Sequence, residues 1–434
     1  MKTPNAQRPT PNIQGRKRAG VHLLGRWALG VGCWALTALL SAADWPTYLH
    51  DNQRTGATDE QLALPLKPLW THGPPQDSAA AWPDEAKRDE YRPGKPLRTR
   101  FSFDRANHVA VADGRVFVGS AQSHWVRCLA AADGKTQWTF FSDAPVRMAP
   151  TYAEGRVFFG SDDGAAYCLD AKRGTLVWKQ IPAGAENRLV PNDGRFVSPF
   201  AVRTGVAVEK GVAFFGAGIF PHEGVWVCAV DAASGEVRSS AQWTRHFKND
   251  MSPQGALLLA ADRVIVPGGR STPWALSREN GEILGQFNDK KSGMGTFAVL
   301  VGNTLLHGPA GRGGGLLTED GLDFKSVALF ADASMAAVTP ERIVLGGEKG
   351  VTALDRETRK AQWVVKTITP ESLIIAGGNV FVGGEGEVRA LSLADGKQVW
   401  RAEIAGRALG LAVAGGRLFV SNDRGQVVVF GKAE

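Results

Sequence analysis

Residues 150–178 read PTYAEGRVFFGSDDGAAYCLDAKRGTLVW, and their pattern predicts one complete structural unit. Its short apolar runs, separated by turn residues, predict four strands. They cover residues 150–153, 156–160, 166–169 and 176–178. The dipeptide Asp163-Gly164 predicts a two-residue type I′ hairpin, because both central residues of that turn need a positive φ. Trp178 ends the unit. One antiparallel sheet of this size cannot bury its faces alone, so it must pack against neighbouring sheets.

Similar units recur along the chain with a spacing of about 40 residues. Gly134 and Trp138 stand in the same relation to each other as Gly174 and Trp178 do one unit later. Further copies cover residues 342–363, 379–400 and 417–430. A period near 40 residues with four strands per unit is typical of a β-propeller.

Aromatic residues at the ends of the units predict the number of blades. Seven units end in an aromatic residue, namely Trp138, Trp178, Trp243, Phe287, Phe324, Trp363 and Trp400. An eighth unit stops after its third strand at Phe430, and the segment LPLKPLW places Trp70 where the missing fourth strand needs an aromatic. We therefore predict an all-β fold, an eight-bladed β-propeller of four-stranded antiparallel blades whose ring is closed by an N-terminal strand.

The first 43 residues predict export. A basic region that ends at Arg26 precedes the apolar run 27–40, and Ser41-Ala42-Ala43 is typical of a signal-peptide cleavage site. We expect cleavage after Ala43 and a location in the periplasm or cell envelope; an uncleaved anchor is the alternative. This leader holds six basic residues and no acid, so of the formal net charge of +7 only 7 − 6 = +1 belongs to the rest. A nucleic-acid partner is therefore not expected.

One propeller domain, residues 44–434, is predicted to follow the signal peptide of residues 1–43. Residues 44–73 provide an N-terminal arm, packed across the ring through Trp45 and Tyr48, and the closing strand. Residues 74–100 are rich in proline, alanine and charge, which indicates an irregular insertion between blades. We expect the domain to be a monomer.

The repeat G-x-V-(F/Y)-x-G-S-x-D-G-x-x-x-x-L-D-A-x-x-G-x-x-x-W resembles that of the pyrroloquinoline-quinone (PQQ) type propellers. Quinoprotein alcohol dehydrogenases and the outer-membrane assembly factor BamB are built from this repeat. The resemblance covers roughly everything after the leader, and segments such as WPTYLHDNQRTGAT and FFGAGIFPHEGV are similar to exported PQQ-binding-like propeller proteins. It implies the propeller fold, and it implies PQQ as a cofactor by family name only.

No catalytic or metal-binding constellation is recognised in the sequence. A quinoprotein dehydrogenase implies adjacent cysteines over the quinone, a Ca²⁺ site and a catalytic aspartate, and this chain has no adjacent cysteines. Haem, zinc-protease, nucleophile-elbow and P-loop motifs are also missing. Turn chemistry explains Asp162-Asp163, and a flexible loop explains residues 308–315. We expect the cysteines that follow the leader to be small buried apolar residues, at positions Cys128, Cys168 and Cys228.

Strand parity predicts a binding surface. The turns after the first and third strands of a blade lie on one face, which collects short acid-and-glycine turns and is called the turn face below. Every long connection falls on the other face, which is called the loop face. The loop face also receives a set of cations, predicted to be Arg147, Arg188, Arg195, Arg203, Arg245, Lys248, Arg270 and Arg312. Loops set on a rigid scaffold are where binding residues concentrate.

Seven residues of the loop face are predicted to bind a ligand: Arg147, Arg195, Arg203, Ser252, Gln254, Arg270 and Arg312. Guanidinium forks recognise carboxylates and phosphates, which indicates a small anionic ligand or a protein partner. In the alternative interpretation these arginines only brace loops. Five tryptophans are predicted to be structural and to close blades, at Trp70, Trp138, Trp178, Trp363 and Trp400.

Three functions are compatible with the sequence. We favour an exported, non-catalytic scaffold that binds a protein or an anionic ligand. A PQQ-dependent quinoprotein oxidoreductase is the first alternative. A BamB-like scaffold for outer-membrane protein assembly, acting in an envelope-membrane complex, is the second. The question of catalysis stays open, and the missing constellations favour a protein that is not an enzyme.

Overall fold

The computed structural model describes seven ranges of the chain: 44–73, 108–186, 188–192, 195–269, 271–287, 294–309 and 315–432. Only the backbone is described for Asn192 and Arg195. The predicted leader and the predicted insertion at 74–100 lie outside these ranges. The described strands form six four-stranded sheets, one eight-stranded sheet and one two-stranded hairpin. A short 3₁₀ helix covers Pro221–Glu223. None of the described helices is both long and apolar enough to span a membrane.

Two N-terminal strands come first in the chain, β1 (Ala57–Thr58) and β2 (Lys67–His72). The four-stranded sheets are numbered below as units in chain order. Unit 1 is β3 (Val109–Ala112), β4 (Arg115–Ser120), β5 (Trp125–Ala130) and β6 (Thr136–Phe141). Unit 2 is β7 (Thr151–Ala153), β8 (Arg156–Gly160), β9 (Ala166–Asp170) and β10 (Leu176–Gln180). The hairpin β11 (Val190–Asn192) and β12 (Arg195–Val197) follows.

Units 3 to 6 have the same antiparallel order. Unit 3 is β13 (Ala207–Glu209), β14 (Val212–Ala217), β15 (Val225–Asp231) and β16 (Trp243–Phe247). Unit 4 is β17 (Leu258–Leu259), β18 (Arg263–Val266), β19 (Trp274–Ser277) and β20 (Ile283–Gln286). Unit 5 is β21 (Phe297–Val301), β22 (Thr304–Gly308), β23 (Leu316–Gly321) and β24 (Ser326–Ala331). Unit 6 is β25 (Met335–Val338), β26 (Arg342–Gly347), β27 (Gly350–Asp355) and β28 (Ala361–Val365).

The eight-stranded sheet consists of two further units that share one 17-residue strand, β32 (Gln398–Ala414). Unit 7 is β29 (Ser372–Ala376), β30 (Asn379–Gly383), β31 (Glu385–Ser392) and the first part of β32. Unit 8 is the last part of β32, β33 (Arg417–Asn422), β34 (Val427–Gly431) and β2. The N-terminal strand β2 pairs antiparallel with β34, and Trp70 lies opposite Val429.

The first strand of each unit lies innermost and the fourth lies outermost. All four residues of β3 are buried, whereas β24 and β2 expose half or more of their residues. The first strands of successive units lie side by side, and β3 contacts both β7 and the shared strand β32. Hydrophobic clusters fill the spaces between neighbouring units. The fold is therefore a β-propeller of the kind the repeats predict.

The N-terminal arm, residues 44–58, runs along the inner side of the first strands. Its backbone and Asn52 side chain bond in turn to units 1 to 7, through Val111, Tyr152, Val208, Leu259, Leu300, Val338 and Ile375. Strand β1 then pairs in parallel with β29. These contacts fall near the ends of the first strands, where the chain turns into the second strands. The arm therefore lies across the turn face of the propeller.

Tryptophans of the fourth strands lock six of the eight described units onto the next. In unit 1, Trp138 donates its indole N–H to the Ala171 carbonyl at 3.0 Å and packs against Gly174. The same bond joins Trp178 to Ala232, Trp243 to Arg278, Trp363 to Leu393 and Trp400 to Leu66. In unit 8, Trp70 donates to the Ala131 carbonyl of unit 1 at 3.1 Å. An added Cβ on Gly134 would lie 2.6 Å from the Trp70 ring, so this packing needs glycine.

The predictions for Phe287 and Phe324 as blade-closing residues are wrong. In unit 4 the closing position in β20 is taken by Gly285, and Phe287 lies buried just after the strand. Phe324 belongs to the turn before β24 and packs against Gly285. At this junction the fourth strand carries the glycine and the turn of the next unit carries the aromatic residue, which is the reverse of the tryptophan-locked junctions. Arg263 donates to the Leu322 carbonyl at 2.8 Å, where an indole N–H donates elsewhere.

The hairpin at Asp163-Gly164 is also different from the type I′ turn that we predicted. Gly164 has a φ of 92°, but Asp163 is not among the residues with positive φ. The loop is longer, because the Ser161 N–H bonds to the Ala165 carbonyl. Asp163 instead accepts the Ala165 N–H and the Tyr167 hydroxyl. The hydrogen bonds that the Asp163 carboxylate accepts thus determine the conformation of this turn.

Candidate ligand-binding site

A cavity of about 340 Å³ lies among the first strands of units 1, 5, 6, 7 and 8. Its walls include residues at the starts of these strands, such as Val109, Phe297 and Ser372, so it faces the loop face. Trp45, Tyr48 and Leu49 of the arm also line it. Since the arm crosses the turn face, the arm forms the floor of the cavity.

One arginine holds the floor in place. Arg54 is 2 % exposed, and its guanidinium donates to the carbonyls of Leu257, Tyr48 and Asp51 and to the Thr47 hydroxyl, at 2.9–3.0 Å. Burial lowers the pKa of Arg54 to about 10, so it remains charged at neutral pH. Burial also raises the pKa of Tyr48 to about 12, which keeps the phenol neutral. The cavity floor is therefore held by a buried, charged arginine.

Apolar and polar side chains both line the cavity, and most of the polar ones are neutral. His108 is buried beside Tyr48, with ring centroids 5.0 Å apart, and burial lowers its pKa to about 4. It is therefore neutral at pH 7. Ser372 donates to the Ala408 carbonyl at 2.6 Å. Glu371 and Arg407 face each other with 3.7 Å between oxygen and nitrogen. A chamber of mixed apolar and neutral polar lining with one charged pair suits a ligand that carries one charged group on an otherwise uncharged body.

A second cluster lies beside the cavity in the loops of units 2 and 3. Asp162, which is 1 % exposed, accepts the Arg147 Nε at 2.7 Å and is held by Arg203 at 2.9 and 2.8 Å. Burial opposes ionisation of Asp162, but Arg147 and Arg203 outweigh it and lower its pKa. Met148, next in the chain, packs with Tyr48 of the cavity floor. The cluster is a buried ion triad with two cations and one anion.

Two predicted residues from unit 4 join this cluster. Gln254 donates to the Ser252 hydroxyl at 2.8 Å, and both side chains are buried. The Gly255 N–H bonds to the Arg203 carbonyl, which ties their loop to the triad. The Gln254 Oε1 atom has no hydrogen-bond partner among the described residues.

The remaining predicted residues are only partly placed. Of Arg195 only the backbone is described, in β12, and Arg270 and Arg312 lie outside the described residues. Arg188 bonds Glu223 at 2.8 Å. The assignment of Arg245 to the loop face is wrong, because its Nε donates to the Asn280 carbonyl in a turn between third and fourth strands. That turn belongs to the turn face.

Sequence reasoning missed the cavity, because its lining comes from five separate units. It also missed the acceptor role of Asp162, which it assigned to a turn. In the part of the chain that is described, no group of three or more histidine, cysteine, aspartate or glutamate side chains is placed to hold a metal ion. Cys128, Cys168 and Cys228 are buried free thiols, and burial raises the pKa of each to about 12.

Comparison with known protein families agrees with the propeller fold. A family model described as "Outer membrane protein assembly factor BamB" matches residues 68–284, 275–408 and 384–434. The chain belongs to this BamB family of PQQ-type propellers. Membership rests on the repeats that form units 1 to 8.

Curated relatives are similar to parts of the chain. The dehydrogenase subunit of alcohol dehydrogenase (quinone) from Gluconacetobacter polyoxogenes is 32 % identical over 145 residues, which are 29 % of this chain and 18 % of that protein. The 1-butanol dehydrogenase (cytochrome c) from Thauera butanivorans is 26 % identical over 213 residues, 44 % of this chain and 26 % of that protein. The chain thus matches only about a quarter or less of the length of these relatives.

Solved structures share the fold of this BamB-family chain. Quinohemoprotein alcohol dehydrogenase from Comamonas testosteroni has a TM-score of 0.62 at 16 % identity, with 90 % of this chain and 81 % of that chain covered. Sqt1 from Saccharomyces cerevisiae has a TM-score of 0.58 at 12 % identity, with 85 % and 100 % covered. Identities this low show the fold alone.

Proposed function

We propose that this chain is an exported, non-catalytic propeller that binds a protein or a small anionic ligand on its loop face. The main observation behind this proposal is the central cavity. The arm forms its floor at the turn face, and its walls extend to the loop face. Cavities of a few hundred Å³ on a rigid scaffold are the usual place for ligands. The leader at residues 1–43 supports export to the periplasm or cell envelope.

We also propose that the units are the eight blades of a closed ring, with β2 as the closing strand. Pairing of β2 with β34 supports this, as does the bond from Trp70 to Ala131 of unit 1. Contact of β3 with both β7 and β32 supports it as well. A closed ring leaves no long open sheet edge. It would also hold the cavity walls at fixed distances.

Arg407 is the proposed contact for an anionic group in the cavity. Its side chain is 38 % exposed, and its 3.7 Å approach to Glu371 is longer than a hydrogen bond. A ligand carboxylate could therefore take the guanidinium fork in bidentate geometry. The apolar walls would hold the rest of the ligand.

Arg147, Arg203, Ser252 and Gln254 remain part of the proposed binding face. Because Arg147, Ser252 and Gln254 are buried, we assign them to holding the loops at the cavity. The Arg203 side chain is 13 % exposed, so it is the member of the cluster that can reach a ligand or partner. Arg195, Arg270 and Arg312 stay proposals from the sequence alone.

The test begins with purification of the chain from its native host and mass spectrometry of whatever remains bound. Titration calorimetry with the identified compound then compares Arg407→Gln with the matched control Arg401→Gln. Arg401 lies on the outer part of β32 and pairs with Glu387 at 2.7 Å, away from the cavity. We expect at least a tenfold loss of affinity for Arg407→Gln only. Equal affinities of both variants and the parent would refute the cavity site.

The described residues of the cavity do not fit PQQ. PQQ carries three carboxylates, whereas the described lining offers one guanidinium, Arg407, which already faces Glu371. We expect dye-linked alcohol oxidation to stay at background after addition of PQQ and Ca²⁺, and robust turnover would reverse this conclusion.

Family membership favours a second candidate, a scaffold for outer-membrane protein assembly. The partner would then be a protein on the loop face rather than a small molecule in the cavity. Crosslinking in the native host separates the two cases. Recovery of a barrel-assembly complex with the parent chain would support the scaffold, and recovery of none would oppose it. Loss of that complex in Arg203→Glu would then assign the contact to the loop face.

A further inference from the structure

The junction between units 5 and 6 lacks the tryptophan that locks most neighbouring units together. Strands β6 and β24 align residue by residue, TQWTFF with SVALFA. Phe330 stands where Phe140 stands, and Ala328 stands where Trp138 stands. Cross-strand pairing agrees, because Trp138 lies opposite Cys128 and Ala328 lies opposite Glu319. A methyl group therefore occupies the place of an indole.

A groove of about 550 Å³ opens at this junction. Its walls are the outer strand β24 on one side and β27 and β28 on the other, with Ala328, Leu354 and Val364 in the lining. Leu329 and Val364 on its rim are 59 % and 48 % exposed. The junction thus offers apolar surface to a partner at the place where other junctions bury their own aromatic ring.

The turn that receives the indole elsewhere is altered as well. Arg359, with a φ of 56°, takes the position of Gly174 in unit 2. Its guanidinium binds both oxygens of Glu319 at 2.7 Å, so the pair covers the floor of the groove. Elsewhere a carbonyl three residues before the glycine accepts the indole N–H, as Ala171 does. The matching carbonyl here, that of Arg356, receives no hydrogen bond from the described residues of unit 5.

Charge indicates what could fill the groove. The charged residues in its lining are Asp332, Lys349, Arg359 and Lys366, three cations and one anion, for a net charge of 3 − 1 = +2. Asp332 binds Lys349 at 2.7 Å, while the exposed Lys366 has no ion-pair partner among the described residues. Counting Glu319 beneath Arg359 still leaves +1.

We propose that this groove is a second binding site, for an extended peptide of a partner protein that inserts one tryptophan flanked by acidic residues. The indole would lie beside Ala328, Leu354 and Val364, next to the Arg359–Glu319 pair. It would not reach the packed position of Trp138, because Arg359 carries a Cβ where that lock needs glycine. An acidic neighbour in the peptide would meet Lys366. This site lies on the outer side of the propeller and does not depend on the central cavity or on its ligand.

The tryptophan locks at other junctions of the chain are the model for a variant that tests this site. Glu319→Ala, Ala328→Trp and Arg359→Gly together rebuild the lock seen between units 6 and 7, where Ala353 lies opposite Trp363 and Trp363 packs on Gly396. The groove would then be filled by the protein's own indole. Val327→Trp is the matched control, because Val327 points outward from the same strand. Lys366→Glu changes only an exposed charge, so it tests the site even if the triple variant fails to fold.

The probe is a fluorescein-labelled peptide, acetyl-Ser-Glu-Val-Trp-Val-Glu-Ser-amide, and fluorescence anisotropy measures its binding to the full chain. We expect micromolar binding to the parent, at least tenfold weaker binding to the triple variant, and several-fold weaker binding to Lys366→Glu. Val327→Trp should bind within twofold of the parent. Peptides with alanine for tryptophan or lysine for glutamate should bind at least tenfold more weakly. Absence of binding to the parent up to about 1 mM, or equal binding to the parent and to Lys366→Glu, would overturn the proposal.

Discussion

Asp162 shows how a single carboxylate can order several loops. It lies between two guanidinium groups that come from the connections before unit 2 and before unit 3. Both cations approach within hydrogen-bond distance, so two guanidinium groups share one buried carboxylate. A buried ion pair adds little net stability compared with apolar residues, but removal of one partner leaves an uncompensated charge. The stabilisation that Asp162 contributes is therefore greatest when both arginines are present.

Asp162→Asn should lower the free energy of unfolding by about 3–5 kcal/mol at pH 7, because the buried Arg147 and the partly buried Arg203 would both lose the carboxylate that binds them. Since the arginines lower the pKa of Asp162 in the folded state below the ordinary value of 3.8, its stabilisation is fully present above that value. It is lost as the pH falls through the folded-state pKa. Urea unfolding between pH 7 and pH 3 measures this.

Asp133→Asn is the control for the urea experiment, because Asp133 is an exposed turn carboxylate that pairs only with Lys135 at 2.8 Å. Its unfolding curve should stay close to that of the parent at pH 7. If Asp162→Asn unfolds at the same urea concentration as the parent, the triad does not hold the loops. The binding-face assignment of Arg147 and Arg203 would then lose its structural basis.

At the scale of elements, the N-terminal arm shows what the sequence can and cannot predict. The strand predicted at 156–160 is β8 (Arg156–Gly160), because apolar runs and turn residues carry that signal. The route of the arm is harder to predict. Most of its hydrogen bonds join backbone groups, as from the Leu300 N–H to the Gln53 carbonyl, and backbone groups are the same in every residue. Only Trp45 and Tyr48 gave a sequence signal for its packing.

Arg54→Ala should loosen the arm. Arg54 binds three carbonyls and one hydroxyl, so its loss leaves buried acceptors unsatisfied. Amide hydrogen exchange at Leu300, Val338 and Ile375 should become faster, because their N–H groups bond to the arm. Exchange at Val157, within unit 2, should not change. Arg173→Ala, at an exposed turn, is the control variant, and equal exchange in both variants would argue against Arg54 as the anchor.

The whole molecule combines a regular repeat with irregular sites. The repeat predicted the sheet type and the tryptophan locks, because equivalent residues meet equivalent surroundings in each unit. The repeat did not predict the junction between units 4 and 5, where Gly285 and Phe324 take each other's usual positions. Because each residue lies in a different unit, neither unit alone matches the repeat at that position. The cavity could not be predicted either. Its lining depends on which units lie side by side and on where the arm ends, and no local pattern encodes these.

Among the described residues, the two ends of the chain meet in one sheet only in unit 8. Closure of the ring can therefore be tested at β2. Trp70→Ala removes the ring that packs on Gly134 and the bond to the Ala131 carbonyl. We expect a loss of about 3 kcal/mol in the free energy of unfolding, at the lower end for a buried tryptophan because Trp70 is half-buried. Leu69→Ala, on the exposed side of the same strand, should cost much less. The amides of β34 should also exchange faster in Trp70→Ala, since an unlocked β2 uncovers that strand. A Trp70→Ala protein that melts within a degree or two of the parent, with unchanged exchange in β34, would mean that β2 does not close the ring.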